Sequence, residues 1–269
     1  MNLLQRIAVG LVGVPAIYLL IRLGSWPLLL MVAAQALLCS REFYNLAAIK
    51  YHGAFSRTGM ALTLMLPVAA FAGGELQYSW LFPLMLLVSP ALASVVAMFS
   101  GADTEGFISR ISVTGFGIVY FGGLMALQIP LRHGVGGADW LLLAYMMTWV
   151  VDIGGYVAGR LLGRHKLCPR LSPGKTWEGA VGGLFFALAL SWGVGVQMMG
   201  LFGVETAVIY ALAVAVIAPA GDLVESVFKR DVGVKDSSNI LPGHGGMLDR
   251  FDSFLFVVPL TLIFKLLVG

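Results

Sequence analysis

Apolar residues fall in long blocks along this chain, separated by short polar stretches. Nine blocks stand out: Ile7–Leu23, Trp26–Ser40, Gly59–Ala72, Ser79–Phe99, Ile111–Leu131, Trp140–Leu162, Ala180–Gly200, Val204–Val224 and Phe251–Val268. A helix needs about 20 predominantly apolar residues to cross the hydrocarbon core of a bilayer, and most of the blocks approach that length. Gly59–Ala72 is short for a span and carries Pro67. Trp26, Trp80, Trp140 and Trp177 lie at or near block ends, where amphipathic rings favour the membrane interface. A membrane barrel would instead show alternating segments of about ten residues. The pattern predicts an all-α, polytopic helical membrane protein of about nine transmembrane helices.

Composition agrees. The chain is 59% hydrophobic and 12% charged, whereas soluble domains carry about a quarter charged residues. A mean hydropathy of +0.90 over 269 residues is too apolar for a water-facing surface. Met1–Arg6 is short and basic, as in a signal peptide, but Ile7–Leu23 is long enough to span and no small-residue cleavage site precedes Arg22. It reads as a retained first helix.

The net charge of +3 says less than its distribution. With nine spans, only Arg22, Arg132 and Lys265 of the 17 Lys and Arg residues fall on one side, leaving fourteen on the other. By the positive-inside rule the N-terminus and the long polar loops are then cytoplasmic. Two such loops stand out, Gly163–Gly179 and Lys229–Arg250. This divides the chain into an N-terminal region of about five spans, 1–135, and a C-terminal catalytic region of about four spans, 136–269. Cys39 and Cys168 are the only cysteines. They read as two free thiols, not as a disulfide framework or a thiolate metal site.

Candidate chemistry concentrates in the second region. If the eighth helix runs on to Arg230, then Asp222, Glu225, Ser226 and Lys229 share one face at i, i+3, i+4 and i+7. Asp249 and Asp252 share a face at i and i+3, in the first turn of the last helix, where the helix dipole favours acids. Any one of these acids could be a cap or a solvated residue, and Glu225 could simply pair with Lys229. Together they suggest a Mg²⁺ site, because Mg²⁺ takes oxygen ligands from one or two carboxylates plus phosphates and water. Gly243-His244-Gly245-Gly246 offers backbone N–H groups to phosphate oxygens with little side-chain obstruction. Lys229, Arg230 and Arg250 add positive charge.

The other loop contains Ser172-Pro173-Gly174-Lys175-Thr176-Trp177-Glu178-Gly179. Gly-Lys-Thr resembles the end of a phosphate-binding P-loop. That motif needs a glycine where Pro169 stands and a preceding strand, and no strand is expected here. Asp152 lies inside an apolar block, and an ionisable residue in a span is a functional candidate by default.

From Ser226 to Asp252 the chain resembles the phosphatidate cytidylyltransferase family. The match runs through Ser226, Lys229, Arg230, Asp236, His244, Gly245, Gly246, Asp249, Arg250 and Asp252. Asp152–Gly155, the Gly-Arg-His-Lys-Leu stretch and Ser172–Gly179 also look like the family. Its more usual Asp-Thr-Gly/Ala-Ala-Tyr stands here as Asp-Ile-Gly-Gly-Tyr, and the N-terminal half matches mainly in hydropathy and in Arg41-Glu42-Phe43. The resemblance implies a Mg²⁺-dependent membrane enzyme, often dimeric, that transfers CMP from CTP to phosphatidic acid, giving CDP-diacylglycerol and pyrophosphate. A second cation is left open, and nucleic acid is not a partner. The setting implied is a bacterial plasma membrane, with the active site at the cytoplasmic ends of the C-terminal helices.

Carried over residue by residue, the resemblance gives Asp222, Asp249 and Asp252 as metal ligands. Asp222, Asp249, Lys175, Ser226 and His244 are the catalytic set. Lys229, Arg230, Gly245, Gly246, Arg250 and Asp152 are the substrate-binding set. Two other readings fit the composition: a membrane lipid kinase using CTP on a polyprenol or phytol alcohol, and a transporter using Asp152 and Glu205. The His-Gly-Gly-x-x-Asp-Arg-x-Asp run disfavours the first. The clustering of polar residues at one membrane face disfavours the second.

Overall fold

The computed structural model describes residues 3–51, 54–75, 79–101, 103–238 and 245–268. Helix dominates, in nine runs among the described residues. They are α1 (Leu3–Leu23), α2 (Ser25–Lys50), α3 (Ser56–Glu75), α4 (Leu81–Phe99), α5 (Phe107–Arg132), α6 (Gly137–Leu162), α7 (Trp177–Met198), α8 (Val204–Asp231) and α9 (Leu248–Val268). Each overlaps one of the nine apolar blocks. Six of them, α4 to α9, are long and apolar enough to cross a membrane. In α1 the part whose side chains are described, Gly10–Leu23, is apolar. Helix α2 ends in polar turns with Arg41, Glu42 and Lys50, and α3 begins with Ser56-Arg57-Thr58, so both fall below the apolar helices.

The sequence did not lead one to expect strands, yet a small antiparallel hairpin precedes α7. Strand β1 (Lys166–Cys168) pairs with β2 (Ser172–Thr176), with Lys166 opposite Thr176 and Cys168 opposite Ser172. Lys175 therefore sits on a strand that runs directly into a helix.

Two compact units emerge: residues 1–133 with 231–251, and residues 134–230 with 252–269. In the first unit α2 is wrapped by its neighbours. The Tyr44 hydroxyl donates to the Thr114 carbonyl at 2.9 Å. A Cβ on Gly59 or Gly117 would collide with the Tyr44 ring, so the glycines make room for it. Phe43 packs against Phe116 and Phe121, with ring centroids 5.5 and 5.2 Å apart. The buried Gln128 amide donates to Gln35 Oε1 at 2.8 Å, satisfying two polar groups that would otherwise be costly in an apolar interior.

The second unit is organised by a glycine seam between α6 and α7. Gly155 and Gly159 on α6 face Gly179, Gly182 and Gly183 on α7. A Cβ on Gly179 would lie 2.7 Å from the Gly155 carbonyl, and one on Gly183 would lie 3.0 Å from the Val151 carbonyl. Both helices carry small residues four apart, the spacing that lets membrane helices approach backbone to backbone. Elsewhere in this unit Tyr210 and Thr261 hydrogen-bond at 2.8 Å, and the Tyr145 and Phe254 rings lie 4.1 Å apart. The C-terminal ends of α6 and α8 and the N-terminal ends of α7 and α9 carry the polar residues that matter next.

Candidate active site

The glycine seam fixes the start of α7, and the turn before it is tightly bonded. Thr176 is the N-cap of α7 and accepts from the Gly179 N–H at 3.1 Å. Glu178 accepts from the His165 backbone N–H at 3.2 Å and lies 2.6 Å from its ring Nδ1. The Trp177 N–H donates to the His165 carbonyl at 3.0 Å. These bonds hold the hairpin against the helix and aim Lys175 at α8. Its ammonium donates to the Pro219 carbonyl at 3.0 Å and pairs with Asp222 at 2.7 Å.

Around that ion pair lies a carboxylate cluster. Asp222, Glu225 and Asp252 each place one oxygen within 4.8 Å of the others. Glu225 is 1% exposed and Asp252 is 9% exposed. Asp152, exposed on α6, and Lys175 both lie within electrostatic range of Asp252. Glu225 pairs with Lys229 one turn along α8. Ser226 donates to Asp222 at 3.5 Å. Arg160 donates to the Tyr156 hydroxyl at 2.6 Å, one and two turns along α6 from Asp152. Arg230 stands exposed near the end of α8.

Three like charges this close repel one another by several kcal/mol at an effective dielectric of about 20. Two buried or half-buried lysines offset part of that. Hard oxygen donors converging within 4.8 Å of one another suit a small divalent cation such as Mg²⁺, with phosphate oxygens or water completing its shell.

The sequence-predicted residues are distributed over both units. Asp222, Ser226, Lys175, Lys229, Asp152 and Asp252 gather in the second unit. Asp249 and Gly246 belong to the first unit, with Gly245 and the exposed Arg250 beside them. The α9 helix is interrupted by a turn at Asp252-Ser253. Asp252 accepts from the Ser253 N–H at 2.6 Å. Asp249 Oδ2 instead accepts from Ser237 N at 3.1 Å, Ser237 Oγ at 2.8 Å and Gly246 N at 2.8 Å. Gly246 therefore spends its N–H on Asp249, although the sequence had suggested a phosphate as its partner. Gly245 has φ +78, a left-handed conformation in which glycine is unstrained. His244 lies outside the described residues.

Two residues matter more than the sequence suggested. Glu225 joins Asp222 and Asp252 as the third converging carboxylate; its spacing from Asp222 was visible, but pairing with Lys229 explained it equally well. Glu42 on α2 is fully buried among donors from residues 237–248. Two signals were available: a carboxylate near an apolar helix run, where burial is costly without partners, and its place in the family-like Arg41-Glu42-Phe43.

The chain was compared with known proteins. The model of the cytidylyltransferase family matches residues 4–268. A phosphatidate cytidylyltransferase of Staphylococcus haemolyticus is 34% identical over 250 residues, covering 90% of each chain. Those of Staphylococcus saprophyticus and Staphylococcus aureus strain COL are each 35% identical, over 89% of this chain and 90% of theirs. With the match running almost end to end, through both units and the acidic cluster, the chain belongs to the cytidylyltransferase family.

Proposed function

We propose that the protein is a CTP:phosphatidate cytidylyltransferase, and that Asp222, Glu225, Asp252 and Lys175 form the heart of its active site. The observation that carries this reading is the convergence of three carboxylates, one of them paired with a lysine on the hairpin, in a chain of this family. A phosphate oxygen of phosphatidic acid attacks the α-phosphorus of CTP. A new P–O bond forms, the bond to the bridging oxygen of the β-phosphate breaks, and pyrophosphate leaves. No protein nucleophile is required. Catalysis comes from positioning and from stabilising the charge that develops.

Asp222, Glu225 and Asp252 would hold Mg²⁺. The bound ion supplies positive charge for the phosphates and the leaving group. Lys175 is held rigidly by Asp222 and the Pro219 carbonyl, so it presents an ammonium to the triphosphate without a large ordering cost. Lys229, Arg230 and Arg250 bind phosphate, from nucleotide or lipid. Ser226 steadies Asp222, and Asp152 contacts substrate or the bound cation's water. Asp249 orders the Gly245-Gly246 turn. Asp249 is also expected among the metal ligands, alongside its bonds to Ser237 and Gly246.

We further infer that all nine helices span the membrane, that the polar loops face the cytoplasm of a bacterial cell, and that the enzyme works as a homodimer. Cytosolic CTP and a lipid phosphate at the membrane surface can both reach a site built at helix ends on that face. The test is to incubate purified protein in detergent with phosphatidic acid, CTP and Mg²⁺, with EDTA as control. Metal-dependent CDP-diacylglycerol is expected. Absence of a CMP-containing lipid would defeat the proposal.

A further inference from the structure

Glu42 lies in the last third of α2 and is fully buried. Its side chain accepts four hydrogen bonds, two on each oxygen. Oε1 takes the Ser238 hydroxyl at 2.5 Å and the Met247 N–H at 2.9 Å. Oε2 takes the Ser237 hydroxyl at 3.0 Å and the Leu248 N–H at 2.7 Å. Each oxygen therefore receives one donor from Ser237-Ser238 and one from Met247-Leu248. The neighbouring Gly246 completes the fit: a Cβ there would lie 2.5 Å from Glu42 Oε2. Asp249 bridges the same two stretches through the Gly246 N–H and through Ser237, whose one hydroxyl hydrogen is shared between Glu42 Oε2 and Asp249 Oδ2.

We propose that Glu42 is a positioning residue that clamps Ser237-Ser238 and Met247-Leu248 to α2, and so orders the Gly245-Gly246 turn and Arg250, which the proposed function counts among the substrate-binding residues. The chemistry selects a carboxylate. Four donors converge on two oxygens, and only a group with two acceptor oxygens and no hydrogens meets all of them. A glutamine would set its NH₂ against a serine hydroxyl and a backbone N–H in either orientation. The hydroxyl can rotate; the backbone N–H cannot, so it stays buried and unpaired. The activity part of this proposal rests on the cytidylyl transfer proposed above; the clamp itself does not.

The test compares wild type with Glu42→Gln and Glu42→Asp in the full chain. CMP transfer is measured with kcat and KM separated, and backbone hydrogen exchange is followed across residues 245–250. For Glu42→Gln, kcat should fall about tenfold to hundredfold, consistent with losing one or two charge-assisted bonds. KM for CTP should move by less than about threefold, because the residues of the acidic cluster are unchanged. Exchange at Met247 and Leu248 should quicken at least about tenfold while α4 to α7 stay protected. Glu42→Asp, which keeps both oxygens but is one methylene shorter, should recover part of both losses.

Unchanged exchange at 247–248 would overturn the clamp, and unchanged turnover would overturn the catalytic role. A wild-type protein without CMP transfer would defeat the proposed function, leaving the exchange result to decide the clamp. Should Glu42→Gln fail to fold, Ser238→Ala removes one donor without leaving a buried N–H unpaired. It should quicken exchange at 247–248 and lower kcat about threefold; no change in either would overturn the proposal.

Discussion

Replacing Asp252 by asparagine should make the metal-free protein more stable and the enzyme inactive. The side chain keeps its shape and can still accept from the Ser253 N–H. It loses a charge that sits within 4.8 Å of two others. At an effective dielectric of about 20, two unit charges at that separation repel by about 3.5 kcal/mol. Asp252 enters two such pairs, so its charge costs up to about 7 kcal/mol before Lys175 and Lys229 are counted. Lys175 and the residual solvent offset part of it, which leaves a net gain of about 1–3 kcal/mol for Asp252→Asn. The thermal midpoint should rise by about 3–10 °C. It should be measured in EDTA at a pH well above neutrality, so that this buried carboxyl carries its charge. Turnover should fall at least about a hundredfold, as when a group aimed at developing charge is removed. Added Mg²⁺ should stabilise wild type more than the variant. A variant less stable than wild type in EDTA, or one with near-normal turnover, would refute the reasoning from charge repulsion.

The other predictions address different parts of the site. Lys175→Met should cut kcat about a hundredfold while leaving helix content by circular dichroism unchanged, because it removes the ammonium and frees Asp222 to repel its neighbours. Gly246→Ala should destabilise the protein by about 1–3 kcal/mol and abolish turnover, since its Cβ enters the space of Glu42 and Ser237; a denaturant or thermal scan in detergent reads this directly. Gly182→Leu should break the α6–α7 seam and lower the thermal midpoint, because even a Cβ would strike Ala158. Cys39 is buried and Cys168 lies on the hairpin. A membrane-impermeant thiol reagent should therefore label Cys168 in inside-out vesicles and not in right-side-out ones; the opposite pattern would reverse the orientation.

The helices were legible because burial in lipid leaves no choice about where apolar blocks go. Even Gly59–Ala72, short and carrying Pro67, lies within the helix Ser56–Glu75. The hairpin was not legible. Its strands are three and five residues long, too short for alternation to show, and bonds from Thr176 and Glu178 hold it in place. Asp222, Ser226 and Lys229 were readable from spacing because α8 runs unbroken to Asp231. Asp249 and Asp252 looked equivalent by the same logic, but the helix breaks at Asp252-Ser253 and the two accept from different donors, and no spacing rule foresees that break. Glu42 was hidden for a third reason: its partners lie 195 to 206 residues away in the chain.

The central claim is that CMP, rather than phosphate, passes from CTP to the lipid. Parallel reactions with phosphatidic acid, one with CTP labelled in the α-phosphate and one with CTP labelled in the γ-phosphate, test it most directly. The account predicts a lipid product carrying the α label, with the γ label released as pyrophosphate. Lipid carrying the γ label, or no labelled lipid from either reaction, would contradict it.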